Sequence, residues 1–183
     1  MSYRNHNENF PKDLTVEMLA GFVTTERGCT HPRVGMIDGR RYIAKCGSWS
    51  AYSSDAHVHN ECVADEALRV AGFHVPDSRE YKVDFADGRG PQVVRLAVYH
   101  DAFRPLMQAW GQADGALRRR IRRQAIAAYP VQAFLAGIDT FTWDNVKIDG
   151  DGWLWFVDNG ASFDFRACGK KRGFGHKCGS ESA

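Results

Sequence analysis

The stretch Asn145-Val-Lys-Ile-Asp-Gly-Asp-Gly-Trp-Leu-Trp-Phe-Val-Asp158 carries more structural information than any other part of the chain. It predicts two short β-strands around an Asp-Gly-Asp-Gly turn, which is a strong β-hairpin signal. Folding the stretch about this turn brings Asn145 close to Asp158, to within about two residues of register. An amide oxygen and a carboxylate therefore meet at one end of the hairpin, and Asp139 and Asp144 lie on the loop that leads into that end.

The two oxygen-bearing side chains at the hairpin end, Asn145 and Asp158, are candidate ligands for a metal ion. Hard cations such as Mg²⁺ take one or two oxygen ligands from the protein and the rest from phosphates and water. On spacing alone, the favoured interpretation is that these loop Asp and Asn residues form local turns. The metal site is therefore a hypothesis that needs support from other parts of the chain.

A second hairpin is predicted over residues 35–45, with Asp38-Gly39 as its turn and Lys45 at the end of its second strand. A loop rich in helix-capping residues follows, and then a helix from about Ala56 to Ala71 that ends at Gly72. Strands are predicted over 75–83 and 93–99. The first hundred residues therefore have the predicted order β-β-α-β-β.

Glu61 lies on the apolar face of the predicted helix, one turn before the helix's apolar stripe. A carboxylate on that face needs a partner, because burying an unpaired charge is costly. Lys45, at the end of the preceding strand, is the natural one, and a lysine held by a glutamate suits phosphate binding. The alternative is a solvated helix face, since Asp65 and Glu66 are neighbouring acidic residues.

The segment Gly28-Cys-Thr-His-Pro-Arg-Val-Gly35 precedes the first predicted strand. Its glycines, Thr30 and an arginine could offer backbone N–H groups and positive charge to phosphates. The pattern is a weak phosphate-binding signal, and an ordinary loop is the favoured interpretation.

The second half opens with a short predicted helix over 106–110 and a longer one from Leu117 to about Tyr129. Pro130 is expected to kink or end this helix, with helix continuing over 131–136. Five arginines within Arg118–Arg123 could bind anionic lipid or nucleic acid. A solvated outer face is favoured instead, so nucleic acid is not an expected partner.

The five cysteines are widely and irregularly spaced, which argues against a disulfide framework and for a reducing, cytoplasmic compartment. Cys168, His176 and Cys178 could supply zinc ligands, and Cys29 with His31 forms another candidate pair. No C-x-x-C motif is present, so free thiols are favoured over a zinc site.

The composition is that of an ordinary globular protein, with 183 residues, 44% hydrophobic and 25% charged. A chain of this length can bury a substantial core as one domain or as two small lobes around a cleft. The polar start of the chain is not a secretory signal, and no apolar run is long enough to span a membrane. The formal net charge of +2 does not by itself indicate a nucleic-acid partner.

The order of these features along the chain resembles that of the protein-kinase-like superfamily. Tyr42-Ile-Ala-Lys45 resembles the strand that carries the nucleotide-binding lysine, and His59-Asn-Glu61 resembles its helical partner. Val94-Arg-Leu-Ala-Val-Tyr99 falls where the strand into the interlobe hinge belongs. Asp139-Thr-Phe-Thr-Trp-Asp-Asn145 is similar to the catalytic loop, and Val157-Asp-Asn-Gly160 takes the place of the metal-binding motif.

The Asp-Asn-Gly form of the metal motif, and a catalytic loop without His-Arg-Asp, are similar to atypical kinases. These are the phosphatidylinositol 3/4-kinase and HipA-type branch and the very small kinase-fold effectors of bacteria. The resemblance implies an α+β, two-lobed minimal kinase-like fold. Its N-lobe, over 17–100, would hold an antiparallel sheet and one helix. Its mostly helical C-lobe, over 101–165, would carry the hairpin, between a flexible lead-in (1–16) and a loose basic tail (166–183).

The resemblance also implies a set of roles for individual residues. Lys45, oriented by Glu61, would bind the ATP phosphates, and Asn145 and Asp158 would hold Mg²⁺. Asp139 would orient or deprotonate the acceptor hydroxyl. Asp139 precedes Asn145 by one position more than is usual in the family, so Asp144 stays open as the other candidate.

The remaining nucleotide contacts implied by the resemblance are the Val98–Tyr99 backbone at adenine and Thr30 in the phosphate loop. Arg166 and Lys170 would neutralise charge on phosphate or acceptor. The predicted function is transfer of the ATP γ-phosphate to a hydroxyl, with a protein Ser/Thr as the favoured acceptor. Transfer of AMP, and a catalytically inactive nucleotide-binding or protein-interaction module, are the alternatives.

Overall fold

The computed structural model describes residues 9–25, 29–137 and 144–165. These ranges form an α+β fold with two antiparallel sheets and four helices. In chain order the elements are α1 (Val16–Leu19), β1 (Val23–Thr24), β2 (Arg33–Ile37), β3 (Arg40–Cys46), α2 (Asp55–Val70), β4 (Ser78–Val83), β5 (Gln92–Val98), β6 (Arg104–Pro105), α3 (Leu106–Gln112), α4 (Gly115–Phe134), β7 (Val146–Ile148) and β8 (Leu154–Phe156).

The first sheet has five strands in the order β1-β2-β3-β5-β4, and every neighbouring pair is antiparallel. The hairpin predicted over 35–45 is confirmed as β2 and β3. Its two turn residues, Asp38 and Gly39, have φ angles of 48° and 76°, the left-handed conformations that a tight hairpin turn requires. The predicted β-β-α-β-β order is also confirmed, although the strand expected from Val75 begins only at Ser78.

One strand was not predicted from the sequence, and it lies before the Gly28–Gly35 segment in the chain. This strand, β1, pairs with β2 through Val23↔Val34 and Thr24↔Arg33. The described part of this segment, residues 29–35, therefore lies between two antiparallel strands and runs into β2. The Thr25 N–H donates to the Pro32 carbonyl at 2.9 Å and closes this connection at its base.

The two faces of the five-stranded sheet have different surroundings, because successive side chains of a strand point to opposite faces. Tyr42, Ala44 and Cys46 of β3 pack into an apolar core with Val94 and Leu96 of β5. The N-terminal segment covers this core with three buried apolar residues: Leu14, Leu19 and Phe22. The other face carries the alternate residues of the same strands and lies against α2.

Helix α2 confirms the predicted helix with small shifts at its ends. Ser54 is its N-cap and accepts from the His57 N–H at 3.2 Å. Gly72 follows the helix with φ 87°, the left-handed conformation of a helix-ending glycine. The helix contacts β3, β4 and β5, and Leu68 near its end reaches the second core. One helix therefore joins the two parts of the molecule.

The second part contains α3, α4 and a three-stranded sheet in the order β6-β7-β8. The hairpin predicted over Asn145–Asp158 is confirmed, with Val146 opposite Phe156 and Ile148 opposite Leu154. Strand β6 was not predicted. Helix α4 does not end at Pro130 but runs through it to Phe134. The core of this part includes Ile121 and Ala128 of α4 and the inward residues of the hairpin.

None of the helices in the described ranges is long and apolar enough to cross a membrane. The arginines of Arg118–Arg123 are exposed on α4, whereas Ile121 between them is buried. Cys46 and Cys62 are free, and burial raises the pKa of the Cys62 thiol to about 12. Cys29 is disulfide-bonded, which departs from the expectation of free thiols.

Candidate functional site

A cavity of about 620 Å³ lies between the five-stranded sheet and the hairpin. This volume is within the range of small-molecule and cofactor sites. The segment after β5 and helix α2 also contribute residues to the cavity wall. The lining residues from the sheet side and α2 are Pro32, Ile43, Lys45, Glu61, Pro76, Arg95 and Ala97. Those from the segment after β5 and from the hairpin are Val98, Tyr99, His100, Phe103, Pro105, Asp144, Asn145, Lys147, Val157 and Asp158.

Lys45 connects the two walls of this cavity. Its Nζ lies 2.9 Å from both carboxylate oxygens of Glu61 on α2 and 2.5 Å from Oδ1 of Asp158 after β8. The Lys45 and Glu61 side chains are only 6% and 1% exposed, whereas that of Asp158 is 52% exposed. The structure thus contains the Lys45–Glu61 contact expected from helical spacing, and it brings Asp158 to the same ammonium.

The charges at this point shift one another's protonation equilibria. Burial alone would lower the pKa of Lys45, but Asp158 and Glu61 more than offset it, so the net shift is upward. The Lys45 ammonium in turn holds the pKa of Asp158 below its ordinary value, against a smaller opposing effect of burial. Lys45 is therefore a cation and Asp158 an anion at neutral pH.

The segment that carries Asp158 has an unusual backbone. Asp158 itself has φ 57°, a left-handed conformation that residues other than glycine adopt rarely and often at functional sites. Gly160 lies so close to α2 that an added Cβ would be 2.6 Å from Nε2 of His57 and 3.4 Å from Oε2 of Glu61. A side chain at this position would therefore collide with the His57 ring on α2 and crowd the Glu61 carboxylate.

Asn145 and Asp158 are positioned together by the hairpin. The Asn145 carbonyl accepts from the Val157 N–H at 2.9 Å, which extends the β7–β8 pairing to the residue before Asp158. Both side chains belong to residues that line the cavity. The structure thus brings together these two candidate metal ligands and Lys45.

The donors at the hairpin end are an amide oxygen and a half-exposed carboxylate, which suit a hard cation such as Mg²⁺. In the part of the chain that the structure describes, no group of three or more His, Cys, Asp and Glu residues could hold a metal ion. A Mg²⁺ ion here would therefore need phosphate oxygens and water to complete its coordination, as is usual for nucleotide-bound Mg²⁺.

Val98 and Tyr99 lie where the chain leaves β5 and passes along the cavity. Their backbone N–H groups are both engaged, since Val98 donates to the Asp77 carbonyl and Tyr99 to the Arg41 carbonyl, each at 2.9 Å. The guanidinium of Arg41 stacks on the Tyr99 ring at 4.5 Å from its centroid. Hydrogen bonds to the neighbouring chain segments on both sides thus fix the backbone of this part of the cavity wall.

Other candidate residues from the sequence are less directly connected with the cavity. Thr30 is buried, at 7% exposure, but it does not line the cavity, whereas Pro32 of the same segment does. Asp144 lines the cavity beside Asn145. Asp139, Arg166, Lys170, Cys168, His176 and Cys178 lie outside the described residues.

Two charged residues to which the sequence analysis gave no role extend this ion-pair network. Arg95 contacts Glu61, and Asp65 contacts Arg95. Arg95 is 3% exposed and Asp65 is 0% exposed, so Asp65 does not lie on the solvated helix face that the sequence left open as the alternative. The signal for Asp65 was its position one turn after Glu61, which places both carboxylates on one helix face. The signal for Arg95 was a single charge within the apolar run of β5.

The two hairpin tryptophans, Trp153 and Trp155, have different surroundings. The Trp155 ring lies among His74, His100 and Phe103, with centroid distances of 4.7–5.3 Å. Its indole N–H donates to Asp149 Oδ2 at 2.9 Å. Trp153 is 44% exposed and stacks with the Arg120 guanidinium. Trp155 therefore joins the hairpin to the segment after β5, and Trp153 lies at the surface.

No family model matches the sequence, and no curated protein matches it. Among solved structures, the chain is similar to "WaaP in complex with acyl carrier protein", with a TM-score of 0.49 and 14% sequence identity. The match covers 82% of this chain and 65% of the other, so this chain spans just under two thirds of that protein's length. Function is therefore inferred from the residues of the cavity itself.

Proposed function

We propose that this protein is an ATP- and Mg²⁺-dependent phosphotransferase with a kinase-like fold, which transfers the γ-phosphate of ATP to a hydroxyl. The observation that carries the proposal is the buried Lys45 ammonium, in contact with both Glu61 and Asp158 inside a cavity of nucleotide size. The strand order of the sheet, with α2 between β3 and β4, supports the same interpretation. Membership of the phosphatidylinositol 3/4-kinase and HipA-type branch stays a prediction.

In this proposal Lys45 binds the phosphates of ATP and Glu61 orients it. The Glu61 carboxylate uses both oxygens to hold one ammonium, which fixes the direction in which the remaining proton donor of Lys45 points. Binding of ATP would give Lys45 phosphate oxygens as partners and release Asp158 from it. The half-exposed carboxylate of Asp158 would then be available, with Asn145, to hold Mg²⁺.

Phosphoryl transfer depends mainly on positioning and on neutralising charge. Bound Mg²⁺ would supply charge neutralisation at the phosphates. The acceptor oxygen forms a bond to the γ-phosphorus, the bond between that phosphorus and the bridging oxygen breaks, and ADP leaves. The acceptor's proton goes to a carboxylate of the loop before β7. Asp139 and Asp144 both stay candidates for this carboxylate, and Asp144 already lines the cavity.

The adenine base would lie beside the Val98–Tyr99 backbone, in the cavity that Ile43 also lines. Since the N–H groups of both residues are donated to protein carbonyls, their own carbonyls are the groups that would accept from the adenine amine. A hydroxyl of a protein Ser or Thr is the proposed acceptor class. This choice rests on the resemblance of the sequence to the protein-kinase-like superfamily.

The proposal predicts that Lys45→Met and Asp158→Asn each remove transfer of label from [γ-³²P]ATP to a mixture of protein and peptide acceptors. Both substitutions keep side-chain size, and loss of an activity-determining group typically lowers the rate by at least about a hundredfold. The matched controls are Lys12→Met and Asp151→Asn, which change exposed residues of the same types away from the cavity. Circular dichroism of each variant checks that it is folded.

Four outcomes are informative. Transfer that is lost in both cavity variants and kept in both controls supports the proposal. Transfer of label from [α-³²P]ATP instead would indicate AMP transfer by the same site. Mg²⁺-dependent nucleotide binding without transfer to any acceptor would indicate a catalytically inactive binding module, and full transfer by Lys45→Met would exclude the proposed role of the lysine.

A further inference from the structure

Two cations lie side by side on the face of the sheet that lines the cavity. Lys45 of β3 and Arg95 of β5 are directly opposite each other in the strand pairing. Like charges in this relation repel, and here both are buried. Glu61 lies between them and contacts both, with Oε1 at 2.9 Å from Lys45 Nζ and 3.3 Å from an Arg95 guanidinium nitrogen.

Arg95 has a second carboxylate partner, which holds it by two hydrogen bonds. Its Nε and Nη2 lie 3.0 and 2.5 Å from Oδ2 of Asp65, one helical turn after Glu61. A guanidinium is a rigid planar fork, so bonds on two sides fix its orientation. Arg95 therefore ties two successive turns of α2 to the central part of the sheet.

Asp65 also reaches the segment that carries the candidate metal ligand. Its Oδ1 accepts from Asn159 Nδ2 at 2.8 Å, and its Oδ2 accepts from Ser78 Oγ at 3.0 Å. Asn159 is 1% exposed and directly follows Asp158. Asn60 makes a parallel tether from the same helix, since its Nδ2 donates to the carbonyls of Gly160 at 3.2 Å and Ser162 at 2.8 Å.

These contacts close a ring. It runs from Lys45 to Glu61, Arg95, Asp65 and Asn159, then through one peptide bond to Asp158 and back to Lys45. The ring joins four elements that are distant in sequence: β3, α2, β5 and the segment after β8. Arg95 and Asp65 are the two charged members that the proposed reaction does not use.

We propose that Arg95 and Asp65 are positioning residues, which complete this ring and thereby fix Glu61 and the Asp158 segment relative to each other. The inference rests on the proposed function for its effect on catalysis, but the coupling itself is a property of the free protein. Through Asn159, the Arg95–Asp65 pair sets where Asp158 presents its carboxylate. Through Glu61, it sets the direction of the Lys45 ammonium.

The test is the double variant Asp65→Leu/Arg95→Met. Removing a single member would leave a buried, unpaired charge and threaten the fold, whereas replacing both by apolar residues of similar size is tolerated far better. Hydrogen–deuterium exchange then measures the backbone of residues 157–163 in the free protein. We expect faster exchange there, because Asn159 has lost its acceptor on α2, while exchange in β2 and α4 stays unchanged.

The catalytic readout is the effect on kcat and on the Mg²⁺ dependence. Loss of residues that orient a metal or phosphate ligand typically costs about 10–100-fold in activity or metal affinity. We expect kcat to fall within that range, with a raised Mg²⁺ requirement and a smaller change in the KM for ATP. The control is Glu66→Gln/Arg69→Met, which removes the outward-facing ion pair of the same helix.

The outcomes separate this inference from the proposed function. Unchanged exchange of residues 157–163 in the Asp65→Leu/Arg95→Met variant overturns the inference, whatever the activity of the parent protein. Faster exchange with unchanged kcat and Mg²⁺ dependence also overturns it, because the ring would then be structural only. If the parent neither binds nor transfers phosphate, the proposed function fails, and the exchange measurement still decides whether Arg95 and Asp65 position the Asp158 segment.

Discussion

At the scale of single residues, the covered face of the first sheet depends on a close contact at Gly35. This glycine lies in β2, and the ring of Phe22 packs directly on its backbone. A Cβ at Gly35 would overlap three carbon atoms of that ring. Because Phe22 is itself only 7% exposed, its ring has little room to move away. A side chain at this position would therefore force the Phe22 ring or the β2 backbone to shift.

We therefore expect Gly35→Ala to lower the free energy of unfolding by about 1–3 kcal/mol, the usual effect of forcing extra volume into a packed core. Urea unfolding followed by circular dichroism measures it. The control is Gly21→Ala, since a Cβ at that glycine meets nothing within 4 Å and should change stability by no more than about 0.5 kcal/mol. Equal stability of the two variants would contradict the packing argument.

Single residues could be predicted from the sequence where a charged residue interrupts an apolar pattern. They could not be predicted where the same pattern is typical of both a buried and a solvated position. Glu61 stood out because it occupies an apolar helix face, and its ion pair with Lys45 is present in the structure. Asp65 fits the same face one turn later, but a run of acidic residues is also typical of a solvated surface. Asp65 is buried because Arg95 of β5 faces it across the contact between α2 and the sheet. The sequence around Asp65 contains no sign of this partner.

At the scale of elements, the hairpin β7–β8 is organised by the first residue of its turn. Asp149 Oδ1 accepts from the backbone N–H groups of Asp151 at 3.0 Å and Trp153 at 2.9 Å. Its Oδ2 accepts from the Trp155 indole at 2.9 Å. Partial burial alone would raise the pKa of Asp149, but these hydrogen bonds hold it below its ordinary value. The ionised carboxylate is therefore the form that stabilises the turn.

This shift gives a pH dependence of known sign. The stabilisation by Asp149 should be fully present above its unfolded-state pKa of about 4 and should disappear as the pH falls through its lower folded-state pKa. We expect the difference in unfolding free energy between the wild type and Asp149→Asn to shrink over that interval. Denaturant titrations from pH 6 to pH 2 measure it, with Asp151→Asn as the control. A difference that is constant with pH would contradict the assignment.

Elements with a strong local signal were predicted to within a few residues, and the misses have physical reasons. Strands β1 and β6 contain two residues each, so they are too short to show an alternation of apolar and polar residues. Each is a strand only because its backbone pairs with a longer neighbouring strand, β1 with β2 and β6 with β7. Pro130 was expected to kink or end α4, but packing of Ala128 and Leu135 on either side of it stabilises the continuous helix.

At the scale of the whole molecule, two apolar cores meet through α2 and the cavity. One core lies beneath the five-stranded sheet, and the other lies between α4 and the hairpin. The order of elements predicted this two-part α+β arrangement. It could not predict the cavity's charge network, because Lys45, Arg95 and Asp158 come together only after the sheet, the helix and the hairpin have all formed.

A ligand bound between the two parts should stabilise both at once. At a Mg²⁺–ATP concentration of about one hundred times Kd, we expect a gain of about 2.7 kcal/mol. In a chain of this size, each kcal/mol corresponds to a rise in Tm of about 2–4 °C. Differential scanning calorimetry with ATP, with and without Mg²⁺, measures this rise. The Mg²⁺-dependent part should be absent in Asp158→Asn, and an equal rise in that variant would contradict the placement of the metal.

The outer strand of the first sheet has a consequence for how copies of the protein behave towards one another. In the described residues, β4 pairs only with β5 and forms one outer strand of the sheet. Its side chains include Arg79, which stacks over Tyr81, and the exposed Lys82. Charged side chains on an outer strand, here Arg79, Glu80 and Lys82, discourage edge-to-edge pairing between copies. The charges on this outer strand therefore make it a poor template for pairing with another extended chain.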